Sequence, residues 1–145
     1  MDAMDAQWKR IEAIVGVDEP VTFEKKMTAF YECLLKSLKL PCEVTGIEDF
    51  QWEERYVFGP GNQAEYKRLK KECPSYKDRY ELLAIEKDAV SEWMMAARED
   101  IGAIVKRKHD GKEFCLGLSE LEAVDKKSTS AQLLDDFSVF FFNSR

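Results

Sequence analysis

The sequence lacks the residues and motifs that mark the common classes of enzyme. Among its 145 residues there is one histidine, His109, and there is no G-x-x-x-x-G-K, G-x-G-x-x-G or G-x-S-x-G motif. His109 stands among basic residues beside an Asp-Gly turn, a setting more typical of an exposed turn residue than of a catalytic base. We therefore expect a protein that is not an enzyme.

Long apolar runs and paired cysteines are missing as well. No apolar stretch approaches the roughly 20 residues needed to cross a bilayer, and the chain opens with acidic residues rather than with the basic region of a secretory signal. The four cysteines are scattered and form no C-x-x-C pair, which excludes zinc-ribbon spacing. We expect a cytoplasmic protein with free thiols and no membrane partner.

Basic residues are also fewer than acidic ones. The chain has 28 acidic and 22 basic residues, a formal net charge of -6. Proteins that bind nucleic acid normally present a basic patch that neutralises phosphates. The two basic runs here, residues 67–71 and 106–109, are flanked by acids or end at a turn and carry no aromatic platform. We expect no nucleic-acid partner, and both runs fit solvated surface.

In the first 40 residues, apolar residues recur every three or four positions, as they do on one face of a helix. Helical spacing of apolar residues predicts one helix from Asp5 to Gly16 and a second that begins after Thr22, a good N-cap. Pro41 ends the second helix, and beyond it apolar and polar residues alternate. This change of rhythm marks a boundary between a helical part, residues 1–40, and a sheet part, residues 41–145.

The sheet part reads as short strands joined by turns. Strands are predicted at 42–45, 52–58 and 80–86, in a hairpin of 101–108 and 112–118 joined by Asp110-Gly111, and at 137–142. A short exposed helix is predicted within 63–73 and a late short helix through Leu133 and Leu134, whereas 88–98 fits either a helix or an irregular insertion. The pattern predicts one α+β domain: a helical hairpin packed on a small, partly open antiparallel β-barrel of SH3-like type, with an insertion at 61–98.

Acidic residues cluster at three places in the sheet part, and carboxylates are the oxygen ligands that calcium prefers. None of the clusters matches an EF-hand loop, and solvated acidic turns that aid solubility are the competing interpretation. Aromatic residues such as Trp52 and Trp93 fit core better than a ligand pocket. The nine candidate ligands are Glu48, Asp49, Glu53 and Glu54; Glu120, Glu122 and Asp125; and Asp135 with Asp136.

Two blocks of sequence, the second made of two segments, resemble a known family. The segments Leu38-Lys-Leu-Pro-Cys-Glu-Val44, Leu116-Gly-Leu-Ser-Glu-Leu-Glu-Ala-Val-Asp125 and Gln132-Leu-Leu-Asp-Asp-Phe-Ser-Val-Phe140 are similar to the small bacterial calcium-binding proteins first known from cyanobacteria. The resemblance implies a helical N-terminal part, a compact β-barrel and a cytosolic calcium buffer or regulator that binds Ca²⁺ through acidic side chains. Cys42 departs from the aromatic residue more usual there, and segment 61–98 is longer. The resemblance transfers no individual ligand.

A second class of function fits the same charge. A metal-free interaction module, similar to an immunity protein or an antitoxin, would use an acidic face to mask a basic protein partner. An enzyme of unknown reaction ranks third, and a deep pocket with convergent carboxylates would be its mark. Calorimetric titration of chelator-treated protein with calcium tests the calcium-binding function. A pull-down whose partner is released by moderate salt and is indifferent to chelator would favour the interaction module.

Overall fold

The computed structural model describes residues 3–16, 22–87 and 100–144. Two helices come first, a five-stranded sheet with short helical inserts follows, and a long helix closes the described chain. In chain order the elements are α1 (Ala3–Val15), α2 (Phe23–Ser37), β1 (Cys42–Gly46), a first 3-10 helix (Gln51–Glu53), α3 (Glu54–Val57), α4 (Gln63–Leu69), β2 (Arg79–Lys87), β3 (Ile101–Arg107), β4 (Glu113–Gly117), a second 3-10 helix (Leu118–Glu120), β5 (Leu121–Ala123) and α5 (Thr129–Ser144).

The two helices predicted in the N-terminal part are confirmed. Thr22 caps α2, since its Oγ1 atom accepts a hydrogen bond from Lys25 N at 3.2 Å. Gly16 follows the last residue of α1, and its φ of +83° is a left-handed conformation that favours glycine. The inward face of α2 buries Met27, Phe30 and Leu34, so its apolar stripe contributes to the main core.

The sheet is antiparallel and open. Its strand order is β4-β3-β2-β1-β5, with Val44 of β1 opposite Tyr80 on one side and Ala123 on the other. The predicted hairpin is confirmed, with Ile104 of β3 paired to Cys115 of β4. The α+β class is confirmed, but the barrel is not. Closure would require the edge strands to pair, and these have five residues in β4 and only three in β5.

The C-terminal apolar run forms a helix, so the predicted strand at 137–142 is wrong. α5 extends over 16 residues, and the helix predicted there is therefore not short. Leu134, Phe137 and Phe141 are fully buried because spacings of three and four residues place them on one helical face. The Phe30 ring lies 5.3 Å from both the Phe137 and Phe140 rings. The core therefore forms between α2, α5 and the sheet.

The segment predicted as a strand at 52–58 is also helical. The Trp52 ring lies 6.2 Å from that of Tyr56, one turn further on, and Tyr56 stacks on Tyr66 of α4 with ring centroids 5.2 Å apart. The helix predicted within 63–73 is confirmed as α4, although Tyr66 is buried. Segment 61–98 thus supplies α4 and the central strand β2, while its last part, 88–98 with Trp93, lies outside the described residues.

The second basic run contains a buried cation. Arg107 is fully buried, and its guanidinium pairs with Asp78 Oδ2 at 3.0 Å and with Asp110 Oδ2 at 2.7 Å. It also donates to the carbonyls of Lys71 and Cys73 at 2.7 and 2.9 Å. Arg107 therefore fastens the chain after α4 to the β3–β4 hairpin.

Within residues 3–16, 22–87 and 100–144, no helix is both long enough and apolar enough to cross a membrane.

Candidate metal site

Glu53, a candidate ligand of the first acidic cluster, is completely buried. Its Oε1 atom accepts hydrogen bonds from Tyr76 N at 2.7 Å and Phe50 N at 3.3 Å. Its Oε2 atom accepts from the hydroxyls of Tyr66 and Ser75, each at 2.6 Å. Burial, together with the bond to Glu53, raises the pKa of Tyr66 well above its ordinary value. Glu53 thus joins α4 to Ser75 and Tyr76 in the segment before β2, whereas Glu54 next to it is exposed.

Asp136, in the third cluster, is also buried. It accepts two hydrogen bonds from the Arg10 guanidinium, at 2.9 and 3.0 Å, and one from Gln7 Nε2 at 3.0 Å. The hydrogen bond from Arg10 raises the pKa of this guanidinium. Asp135 is exposed, and its Oδ2 atom accepts from the same Gln7 Nε2 at 2.7 Å. The pair therefore anchors α1 to α5, and Asp135 is the member that faces outward.

The second cluster is divided between different surroundings. Glu122 forms an ion pair with Lys126 at 2.8 Å on the surface. Asp125 stabilises the turn before α5, where its Oδ1 atom accepts from Lys127 N at 3.1 Å. Glu120 ends the second 3-10 helix and is half-buried. Glu122 and Asp125 therefore make local contacts within the turn before α5.

One cavity brings together acids from all three clusters. Its volume is about 380 Å³, and it opens between the loop after β1, the second 3-10 helix and the last turns of α5. We call it the acidic groove. Its lining residues are Ile47, Glu48, Asp49, Glu120, Asp135, Ser138, Val139, Phe142 and Asn143. Four of the nine sequence-predicted ligands line it; Glu53, Glu54, Glu122, Asp125 and Asp136 do not.

Hydrogen bonds fix the walls of the acidic groove relative to one another. Ile47 N donates to Glu120 O at 2.9 Å, which ties the loop after β1 to the second 3-10 helix. Ser138 Oγ of α5 donates to Ser119 O at 2.6 Å. Ser119 in turn donates through its N and Oγ atoms to the buried Asp100. All of these contacts lie between separate elements, so the positions of the groove acids depend on the packing of the whole sheet edge.

Sequence reasoning missed the supporting residues Asp100, Ser119 and Ser138. A signal was present for Ser138, which is the one hydroxyl within the apolar run 137–142. A serine inside a buried helical face requires a hydrogen-bond partner, and here that partner is Ser119 O. No local pattern marks Asp100, because its partner Ser119 is 19 residues away.

The acidic groove has the donor chemistry of a calcium site without a complete coordination sphere. Calcium takes six to eight oxygen ligands at about 2.4 Å, and magnesium uses the same donor type. Across 3–16, 22–87 and 100–144, no three Cys, His, Asp or Glu residues lie close enough to hold one ion together. Calcium binding in the groove would therefore require water, backbone oxygens or movement of side chains to complete the sphere.

Comparisons with known proteins connect the chain to others through its fold. No known protein family matches the sequence, and no curated protein matches it. Two solved structures are similar to it. The crystal structure of Anabaena CcbP has a TM-score of 0.60 and 15% identity, covering 97% of this chain and 93% of that one. A calcium-binding protein in its calcium-binding form has a TM-score of 0.58 and 16% identity, covering 99% and 97%. At these identities the likeness shows a shared fold.

Proposed function

We propose that this chain is a calcium-binding protein that acts as a cytosolic buffer or regulator and has no enzymatic activity. The observation that carries the proposal is the fold, which matches, over nearly the whole length of both chains, a calcium-binding protein solved in its calcium-binding form. The carboxylates of the acidic groove support it, since they provide hard oxygen donors at one place on the surface.

The proposed ligands are the four acids of the groove: Glu48, Asp49, Glu120 and Asp135. Three of the remaining candidates have other structural roles. Glu53 and Asp136 are buried and accept several hydrogen bonds from neighbouring elements, and Asp125 stabilises a turn. Withdrawing Glu53 for a metal would leave buried donors unpaired, which costs free energy. Among the groove acids, Asp135 is exposed and accepts a hydrogen bond from Gln7 Nε2 at 2.7 Å.

Calorimetric titration of chelator-treated protein with calcium, repeated with magnesium, tests the proposal. We expect heat of binding with calcium and a rise in melting temperature, because a ligand that binds only the folded state stabilises it by about 2.7 kcal/mol at 100 times its dissociation constant. No heat and no rise in melting temperature at millimolar calcium would refute the function.

Matched variants locate the site. The double variant Asp49→Asn/Glu120→Gln removes two charges from the acidic groove, and Glu122→Gln/Asp125→Asn removes two charges outside it. We expect the first to weaken calcium binding at least about tenfold, since each lost anionic ligand removes an attraction of a kcal/mol or more. The second should bind nearly as the native protein does. Equal effects would assign the binding to net charge rather than to the groove.

A further inference from the structure

The acidic groove carries exposed apolar side chains as well as carboxylates. Phe142 is 48% exposed and Ile47 is 40% exposed, although Phe137, Phe140 and Phe141 of the same helix are buried. Both exposed residues line the groove, together with Val139. A calcium ion is bound by oxygen atoms and gains nothing from apolar neighbours. The apolar part of the groove therefore fits a different occupant, one that removes it from water.

The charge of the groove indicates the charge of its occupant. Four of the residues that line it are acidic, and none of its described lining residues is basic. Arg10 pairs with Asp136, which neighbours Asp135 on α5 but lies outside the lining. A concave surface with one sign of charge attracts the opposite sign. A groove lined by carboxylates and exposed apolar side chains thus complements a segment that is both cationic and apolar.

We propose that the acidic groove docks a lysine- or arginine-rich amphipathic segment of a partner protein, and that calcium competes with this segment for the same carboxylates. The inference about competition rests on the proposed function; the docking itself does not. Lysine and arginine side chains pair with carboxylates, and an amphipathic helix places apolar anchors at three- and four-residue spacing into such grooves. By linkage, each ligand weakens the other by the same factor.

The test uses the full chain in chelator and a labelled synthetic peptide followed by fluorescence anisotropy. The probe is an amphipathic peptide of leucine and lysine about 14 residues long, a helix of about 20 Å, and its control has the same composition in shuffled order. We expect the amphipathic order to bind at least about tenfold more tightly, because only that order presents an apolar face to Phe142 and Ile47. Equal affinity for the two peptides would reduce the binding to charge attraction and overturn the proposal.

Two phenylalanine variants supply the residue-level control. Phe142→Ser should weaken the amphipathic peptide about tenfold, the effect of losing roughly half of a ring's burial. Phe58→Ser changes a phenylalanine that is 79% exposed and outside the groove, and the peptide should bind it as it binds the native chain. Should Phe142→Ser fail to fold by circular dichroism, Ile47→Ser replaces it with the same expected direction. Insensitivity of peptide binding to the groove variant contradicts docking there.

Peptide binding in the presence of calcium then distinguishes docking of the peptide from competition with calcium. At ten times the calcium dissociation constant measured by calorimetry, the apparent dissociation constant of the peptide should rise about tenfold. Calcium that binds but leaves the peptide unaffected, or tightens it, would overturn the competition. Peptide binding that depends on Phe142 in a protein giving no calcium heat would support docking and refute the proposed calcium function instead.

Discussion

Glu53→Gln distinguishes a structural carboxylate from a metal ligand. Glu53 accepts hydrogen bonds from two backbone N–H groups and two hydroxyls, at 2.6 to 3.3 Å, and is fully buried. Glutamine fills the same volume but has one acceptor oxygen and no charge. If that oxygen stays on the two amides, the new NH₂ group meets the hydroxyls of Tyr66 and Ser75, which must turn to accept from it.

The expected loss of stability follows from replacing a charged acceptor with a neutral one. A hydrogen bond to a charged group contributes about 1 kcal/mol more than a neutral one. With four bonds affected and partial rearrangement of the hydroxyls, Glu53→Gln should lower the free energy of unfolding by about 3 kcal/mol. Glu54→Gln next to it removes the same charge from an exposed site and should change stability by less than about 0.5 kcal/mol.

Urea unfolding in chelator measures both variants, and calorimetry measures their calcium affinity. We expect Glu53→Gln to lose the same stability with and without calcium while its native state keeps its calcium affinity. A Glu53→Gln protein as stable as the native one in chelator, but unable to bind calcium, would show that the reasoning is wrong and that Glu53 is a ligand.

Three further predictions concern the buried ion pairs and the core. Arg107→Met should cost about 3 kcal/mol, since it leaves carboxylates and carbonyls without their donor, whereas Lys106→Met on the exposed side of β3 should be nearly neutral in urea unfolding; similar losses would contradict this. The hydrogen bond from Arg107 lowers the pKa of Asp110 below its ordinary 3.8, so its contribution is present above that pH and is lost as the pH falls below it. Acid unfolding of Asp110→Asn should therefore depend less on pH in that range, and an unchanged curve would refute the coupling. Phe140→Ala should cost about 4 kcal/mol and Phe142→Ala under about 1 kcal/mol by thermal unfolding, and equal costs would contradict the burial of the two rings.

Segments with one clear periodicity were predictable from the sequence. The helices before Pro41, the strand β2 and the Asp110-Gly111 hairpin follow from local spacing and turn chemistry. The errors fall on aromatic-rich stretches. Residues 52–58 and 137–142 hold residues common in strands, but Tyr56 stacks on Tyr66, and Phe140 packs on Phe30. Tertiary contacts of this kind override local preference.

The type of ligand at the candidate site was predictable from the sequence, but the residues that line the site were not. Carboxylates close in sequence received different surroundings: Glu53 is buried among hydroxyls and amides, while Glu48 and Asp49 face the acidic groove. Adjacent acids on α5 diverge as well, since Asp136 pairs with Arg10 and Asp135 faces the groove. Side chains one position apart on a helix point about 100° apart, so clustering in sequence does not imply a shared site.

The sequence by itself determined the α+β class, the acidic surface and the boundary at Pro41, because these depend on composition and on the local period of apolar residues. Only the tertiary structure decided which acids meet. Glu48, Glu120 and Asp135 come from three distant parts of the chain, and they converge because β5 pairs with β1 while Ser138 joins α5 to the second 3-10 helix. Contacts between residues so far apart along the chain arise from packing of the whole core, which no local pattern records.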